Sequence, residues 1–119
     1  MLETKIEKKV KDIFGEDIEL SSVIYKHIGL ENISITPPDT PSFMTIYVIK
    51  DYVTEKYAIV IEIEKDIEEK LLKEIEKELA DIEIPLIYKF NKANDHVVSN
   101  LTEEEMIQKL KEIKRIIKL

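Results

Sequence analysis

The chain contains no cysteine and no tryptophan, only two glycines, and a single arginine, Arg115, against 17 lysines. Each absence removes a class of chemistry. Without cysteine there is no disulfide framework, no thiolate nucleophile, no thiolate zinc site and no cysteine-held iron–sulfur cluster. Gly15 and Gly29 are too far apart to form a glycine-rich phosphate cradle, so the P-loop and dinucleotide fingerprints are missing. One arginine cannot make an arginine-rich phosphate clamp. The only two histidines, His27 and His96, lack the spacing of a helical zinc motif. No apolar run approaches the roughly 20 residues needed to cross a bilayer. Residues 2–14 read as a charged amphipathic helix rather than a signal peptide, so a cytoplasmic protein is expected.

What is present is enough for a core. Of 119 residues, 44% are hydrophobic and 36% charged, with a formal net charge of −7. This length predicts a single domain, residues 1–119, that buries about two-thirds of its unfolded surface. The acid excess argues against a broad nucleic-acid or anionic-membrane surface, which would need clustered Lys and Arg. Isoleucine occurs 21 times and glutamine once, a Lys/Glu/Ile bias of the kind found in thermophiles and in AT-rich genomes.

Hydrophobic spacing supplies the elements. Ile6, Val10, Ile13 and Phe14 predict a first helix ended by Gly15. Residues 16–30 read equally as a short strand through Ile18 and Leu20 or as a helical turn begun by Ser21 or Ser22. Ile33 and Ile35 alternate with polar residues as a short strand, and a proline-rich stretch, residues 36–42, follows as a stiff loop. Residues 43–50, apolar on both faces, read as a central strand, joined by a short connection to the alternating residues 57–63 in an antiparallel hairpin. Asp66 and Glu69 form a capping-box pattern ahead of the stripe Ile67, Leu71, Ile75, Leu79. Residues 82–90 alternate as a strand that Pro85 confines to an edge or bulge. Residues 91–100 read as a polar loop. Thr102 and Glu105 then cap a last helix carrying Met106, Leu110 and Ile113 inward. The expected architecture is α+β, a two-layer sandwich with a mainly antiparallel sheet, order α-β-β-β-α-β-α, and the helices on one face.

Three groups of residues are candidates for function. Glu62 and Glu64 share a strand face about 7 Å apart. With Asp51 at the other side of the hairpin they offer hard-oxygen ligands for Mg²⁺ or Mn²⁺. The element order and the triplet Glu62-Ile63-Glu64 are similar to the core of the restriction-endonuclease-like nuclease superfamily. That resemblance implies a divalent-metal phosphodiesterase using Asp51, Glu62 and Glu64. The sequence departs from the family pattern in two places: Lys65 stands one position late, and Asp51 follows Lys50 rather than a proline. The second group is a pair of loops carrying Asp39 and Asn94, Asp95, His96 as binding residues. The third is the basic cluster Lys109, Lys111, Lys114, Arg115 and Lys118, the one patch that would suit RNA or an acidic protein, and one that compensation of the helix dipole and solubility also explain.

The leading expectation is a non-catalytic interaction or assembly module that needs no cofactor or metal and pairs with a protein partner or with itself as a homodimer. Ile116 and Leu119, which point away from the inward stripe of the last helix, and the edges expected at the Ile33–Ile35 and Pro85 strands, are the surfaces that would be covered.

Overall fold

The computed structural model describes residues 5–36, 44–63, 67–89 and 92–117. The elements run α1 (Lys5–Phe14), β1 (Glu19–Tyr25), β2 (Leu30–Thr36), β3 (Met44–Asp51), β4 (Lys56–Ile63), α2 (Glu69–Asp81), β5 (Leu86–Lys89), β6 (Lys92–Leu101) and α3 (Glu103–Ile117). All six strands join one antiparallel sheet in the order β1-β2-β3-β4-β6-β5. The class is the expected α+β, with the helices packed on the sheet. It holds two more strands than the spacing revealed.

The first addition is β1. Residues 16–30 resolve as a strand, a turn and the start of β2, with Glu19 opposite Thr36 and Tyr25 opposite Leu30. Gly29, at φ +65°, supplies the left-handed turn residue. The strand at Ile33–Ile35, expected at an edge, is therefore interior, and β1 is the edge. The second addition is β6, where a polar loop was expected. Its polarity misled because it lies between β5 and β4, with residues such as Asp95 on the half-exposed face. Residues 82 and 83 also differ from expectation: they end α2 rather than begin a strand. Glu83 takes a left-handed φ of 63°, and the Ile84 N–H donates to the Leu79 carbonyl at 2.9 Å, which closes the helix. Pro85 does lie beside an edge strand, β5.

Period two divides the sheet into faces. Ile33, Ile35, Ile46, Val48, Ile59 and Ile61 are fully buried on one face. Against them lie Val10 from α1, Ile75 and Leu79 from α2, and Met106, Leu110 and Ile113 from α3. Ile67 and Leu71, the first half of the α2 stripe, are only partly buried at the margin of this core. The opposite face, with Tyr47, Ile49, Ala58 and Val60, carries half-exposed side chains.

Helix ends follow local chemistry. Gly15, at φ +102°, ends α1, and its N–H donates to the Lys11 carbonyl at 2.7 Å. At α3 the capping box forms: the Glu105 N–H donates to Thr102 Oγ1 at 3.2 Å, and the Thr102 N–H to Glu105 Oε1 at 2.9 Å. These bonds hold the Glu105 carboxyl below its usual range. Thr102→Ala should lower the unfolding free energy by about 1 kcal/mol in urea titration, the usual worth of such a cap. An unchanged midpoint would show the box to be dispensable. The capping box expected at α2 is replaced: Glu68 stands at the cap position and makes no side-chain cap bond, while Asp66 lies outside the described residues.

Candidate functional site

Of the carboxylates named from the sequence, Asp51 and Glu62 are not brought together. Asp51 sits at the end of β3 opposite Lys56, and its Oδ1 accepts the N–H groups of Val53 at 2.8 Å and Thr54 at 3.3 Å. It closes the β3–β4 turn. Glu62 lies opposite Thr45 and Asp95, at the far end of the same hairpin. Glu62 is six residue steps along β4 from Lys56, or about 20 Å. Glu64 lies outside the described residues, among which no group of three or more His, Asp or Glu side chains is placed to hold a metal ion.

The binding-loop residues fare differently from one another. Asp39 lies outside the described residues, and Asn94, Asp95 and His96 stand on β6 rather than in a loop. Asp95 shares the half-exposed face with Glu62 and Ile87. His96 points the other way and is 1% exposed. Its Nδ1 lies 3.3 Å from the Ile84 carbonyl, which can only accept, so Nδ1 carries the proton. Its Nε2 lies 3.7 Å from Glu76 Oε2. This is a core histidine that fastens β6 to the chain leading into β5.

The basic cluster is partly structural. Lys109 Nζ donates to the Ile82 carbonyl at the end of α2. Lys114 Nζ donates to the Ile13 carbonyl, in the last turn of α1, at 2.8 Å. Two lysines of α3 thus satisfy the C-terminal carbonyls of the other two helices, where a cation is favoured. Lys111 and Arg115 are exposed, and Lys118 lies outside the described residues.

What the sequence did not reveal is the meeting of two hairpin ends. The Tyr52 N–H donates to the Gly29 carbonyl at 2.7 Å, tying the β3–β4 turn to the β1–β2 turn. A Cβ at Gly29 would stand 3.2 Å from Val53 Cγ2. Around this junction Val23, Ile24, Tyr25, Ile28, Tyr52 and Val53 are all exposed, Ile28 by 61% and Val53 by 79%. The described residues hold one other large hydrophobic so exposed, Ile87. Tyr25, at the end of β1, and Tyr52, in the β3–β4 turn, are therefore surface residues. A signal was available: Val23, Ile24 and Tyr25 are apolar in succession, which no single buried face of a strand requires.

Beneath the junction lies a polar network. Glu31, on the core side of β2, is fully buried. Its carboxylate accepts from Ser22 Oγ at 3.0 Å and from Tyr52 Oη at 2.5 Å. The Tyr52 phenol is pushed up to about 12, first by that hydrogen bond and then by burial. Lys50, directly across from Glu31, places Nζ 4.6 Å from the Tyr52 ring centre and 5.6 Å from that of Tyr57. Burial opposes the Lys50 charge, but Tyr57 and Glu55 outweigh it and raise the ammonium above its usual range. Tyr57 Oη donates to Glu103 Oε1 at 3.3 Å, and Glu103 pairs with Lys9 at 2.6 Å. Lys9 accordingly holds the Glu103 carboxyl low. Burial raises the Tyr57 phenol.

This network is internally partnered: the hydroxyls of Ser22, Tyr52 and Tyr57 each donate to a carboxylate. No family model matches the chain, and neither does any curated protein or solved structure. The surface at the hairpin ends is the feature that remains to be accounted for. Tyr52 is held from below by Glu31 and the Lys50 cation, while the aliphatic residues are exposed. Among the described residues no helix is long and apolar enough to cross a membrane.

Proposed function

We propose that the chain is a small non-catalytic interaction or assembly module that works as a homodimer through the hairpin end of its sheet. The observation that supports this reading is the exposed set Val23, Ile24, Tyr25, Ile28, Tyr52 and Val53 at two hairpin ends tied together, on an otherwise highly charged chain. Scattered apolar residues on a surface are ordinary, but a cluster fixed by backbone hydrogen bonds marks a contact surface. Tyrosine and branched aliphatic side chains also suit a contact, because they bring large area at low cost in rotamer entropy. The earlier grounds for a dimer shift accordingly. Ile116 packs against the core, and Leu119 lies outside the described residues. We assign the module to the cytoplasm, a setting that suits a cysteine-free chain.

Light scattering at micromolar concentration tests the reading. The wild type should have twice the chain mass of 14.0 kDa. Ile28→Ser with Val53→Ser should move it towards the monomer with little loss of stability, since both side chains are exposed. A wild type that remains at 14.0 kDa up to about 100 μM, well above the Kd of a specific dimer, would refute the homodimer.

A further inference from the structure

Among the described residues β1 stands at the end of the sheet with one neighbour, β2, so that one side of its backbone has no described strand beside it. Six of its seven residues are exposed and only Leu20 is half-buried, so no helix covers either face of the strand. An edge like this is usually blunted by charge, proline or a bulge. β1 has none of these along Leu20-Ser21-Ser22-Val23-Ile24-Tyr25, and its pairing with β2 is regular throughout. The other edge of the sheet, β5, is short and preceded by Pro85. The two edges are therefore treated differently, and only β1 is long and open.

The charges flanking β1 are distributed by sign. Glu16, Asp17 and Glu19 lie at its start, and Lys26 and His27 lie just past its end; all are exposed. A parallel neighbour of the same sequence would set acid against acid. An antiparallel copy sets the acidic end of each strand against the basic end of the other, twice over by symmetry. With the two-fold axis at Ser22, Leu20 lies across from Ile24 and Glu19 from Tyr25. With the axis at Val23, Ser22 lies across from Ile24 and Glu19 from His27. Neither register opposes like charges.

Resting on the homodimer reading, we infer that β1 pairs antiparallel with β1 of a second copy, making the two six-stranded sheets continuous. The partner is a second copy of this chain, recognised by backbone hydrogen bonds along the edge and by the opposed charge of the strand ends. With the axis at Ser22, Ile24 then packs across from Leu20 and Val23 from Ser21; with the axis at Val23, Val23 meets its own counterpart; in both, the hairpin ends with Ile28 and Val53 flank the join.

The test reverses one end at a time in the full chain. One variant carries Glu16→Lys with Glu19→Lys, so that both ends of β1 are basic. The other carries Lys26→Glu with His27→Glu, so that both ends are acidic. Each alone should raise the dimer dissociation constant about tenfold or more in sedimentation or light scattering, because like charges then face each other at both ends. An equimolar mixture of the two should recover the wild-type dissociation constant, since each basic end now meets an acidic one. That recovery also shows both variants folded. In hydrogen exchange, amides of residues 19–25 should be protected above the dissociation constant and lose that protection on dilution. A wild-type dimer that neither reversal weakens, or a mixture that does not recover, would place the contact elsewhere and overturn this inference while leaving the homodimer standing. A wild type that stays monomeric overturns both.

Discussion

Leu110→Ala should lower the unfolding free energy by about 2–5 kcal/mol, the range for a buried leucine whose cavity cannot close. Leu110 lies at the middle of α3, 0% exposed, between Met106 and Ile113, which are equally buried on the same stripe. α3 is the helix that touches both other helices and also β4 and β6. Its lysines further tie it to the ends of α1 and α2. A helix held on so many sides cannot slide to fill a void, so the upper half of that range is expected. Chemical denaturation of the wild type, Leu110→Ala and Lys111→Ala makes the comparison internal. Lys111 is exposed one residue away, and its truncation should stay within about 0.5 kcal/mol. The slope against denaturant should be unchanged in both, because the surface exposed on unfolding is the same. A near-neutral Leu110→Ala would mean that α3 does not close the core.

Tyr52→Phe should cost about 1–3 kcal/mol at neutral pH, a large effect for a residue in a turn and nearly half exposed. The reason is its partner. Glu31 is a fully buried carboxylate that depends on two hydroxyl donors, and removing one leaves a buried oxygen without its bond. Ser22→Ala removes the other donor and should act in the same direction. The same bond predicts a pH dependence. The Tyr52 phenol sits near 10 in the unfolded chain and is pushed up to about 12 in the fold. A group raised in this way contributes stability that is fully present below pH 10 and is lost as the pH climbs towards 12. Tyr57, raised chiefly by burial, adds to the loss in the same direction. Unfolding titrations from pH 9 to 12 should show wild-type stability falling, with a shallower fall in Tyr52→Phe. Equal slopes would show that the Glu31 bond does not govern the titration.

Much of this molecule could be read from local pattern. The stripe of α1 ending at Gly15, the Thr102–Glu105 capping box, the β3–β4 hairpin and the apolar face of α3 all rest on interactions within a few residues of one another. Such contacts are written directly into spacing, because helix and strand periods set which side chains share a face. The absences are just as local: a chain with no cysteine and two glycines lacks several chemistries whatever its fold.

The elements that escaped were those whose identity depends on a neighbour. β6 reads as a loop because its polar residues suit a half-exposed face. It becomes a strand because β4 and β5 take up its backbone bonds on both sides. β1 has no buried face along its length, so the alternation of Ile18 and Leu20 left a strand as one of two readings. It exists because β2 offers an edge to pair with, and a turn at Gly29 brings it there. His96 shows the same limit at a single residue: in sequence it is the last of three polar letters, Asn94-Asp95-His96, and only the register of β6 turns it inward beside Glu76. Asp51 and Glu62 face one hairpin in sequence, but pairing from Asp51–Lys56 to Thr45–Glu62 places them at opposite ends. Composition and period determined most of the core, the end of α1, the start of α3 and the class of fold. The choice of which backbone edge stays open, and which apolar residues gather beside it, was left to tertiary structure. Pairing between distant strands is decided by bonds that no local spacing encodes.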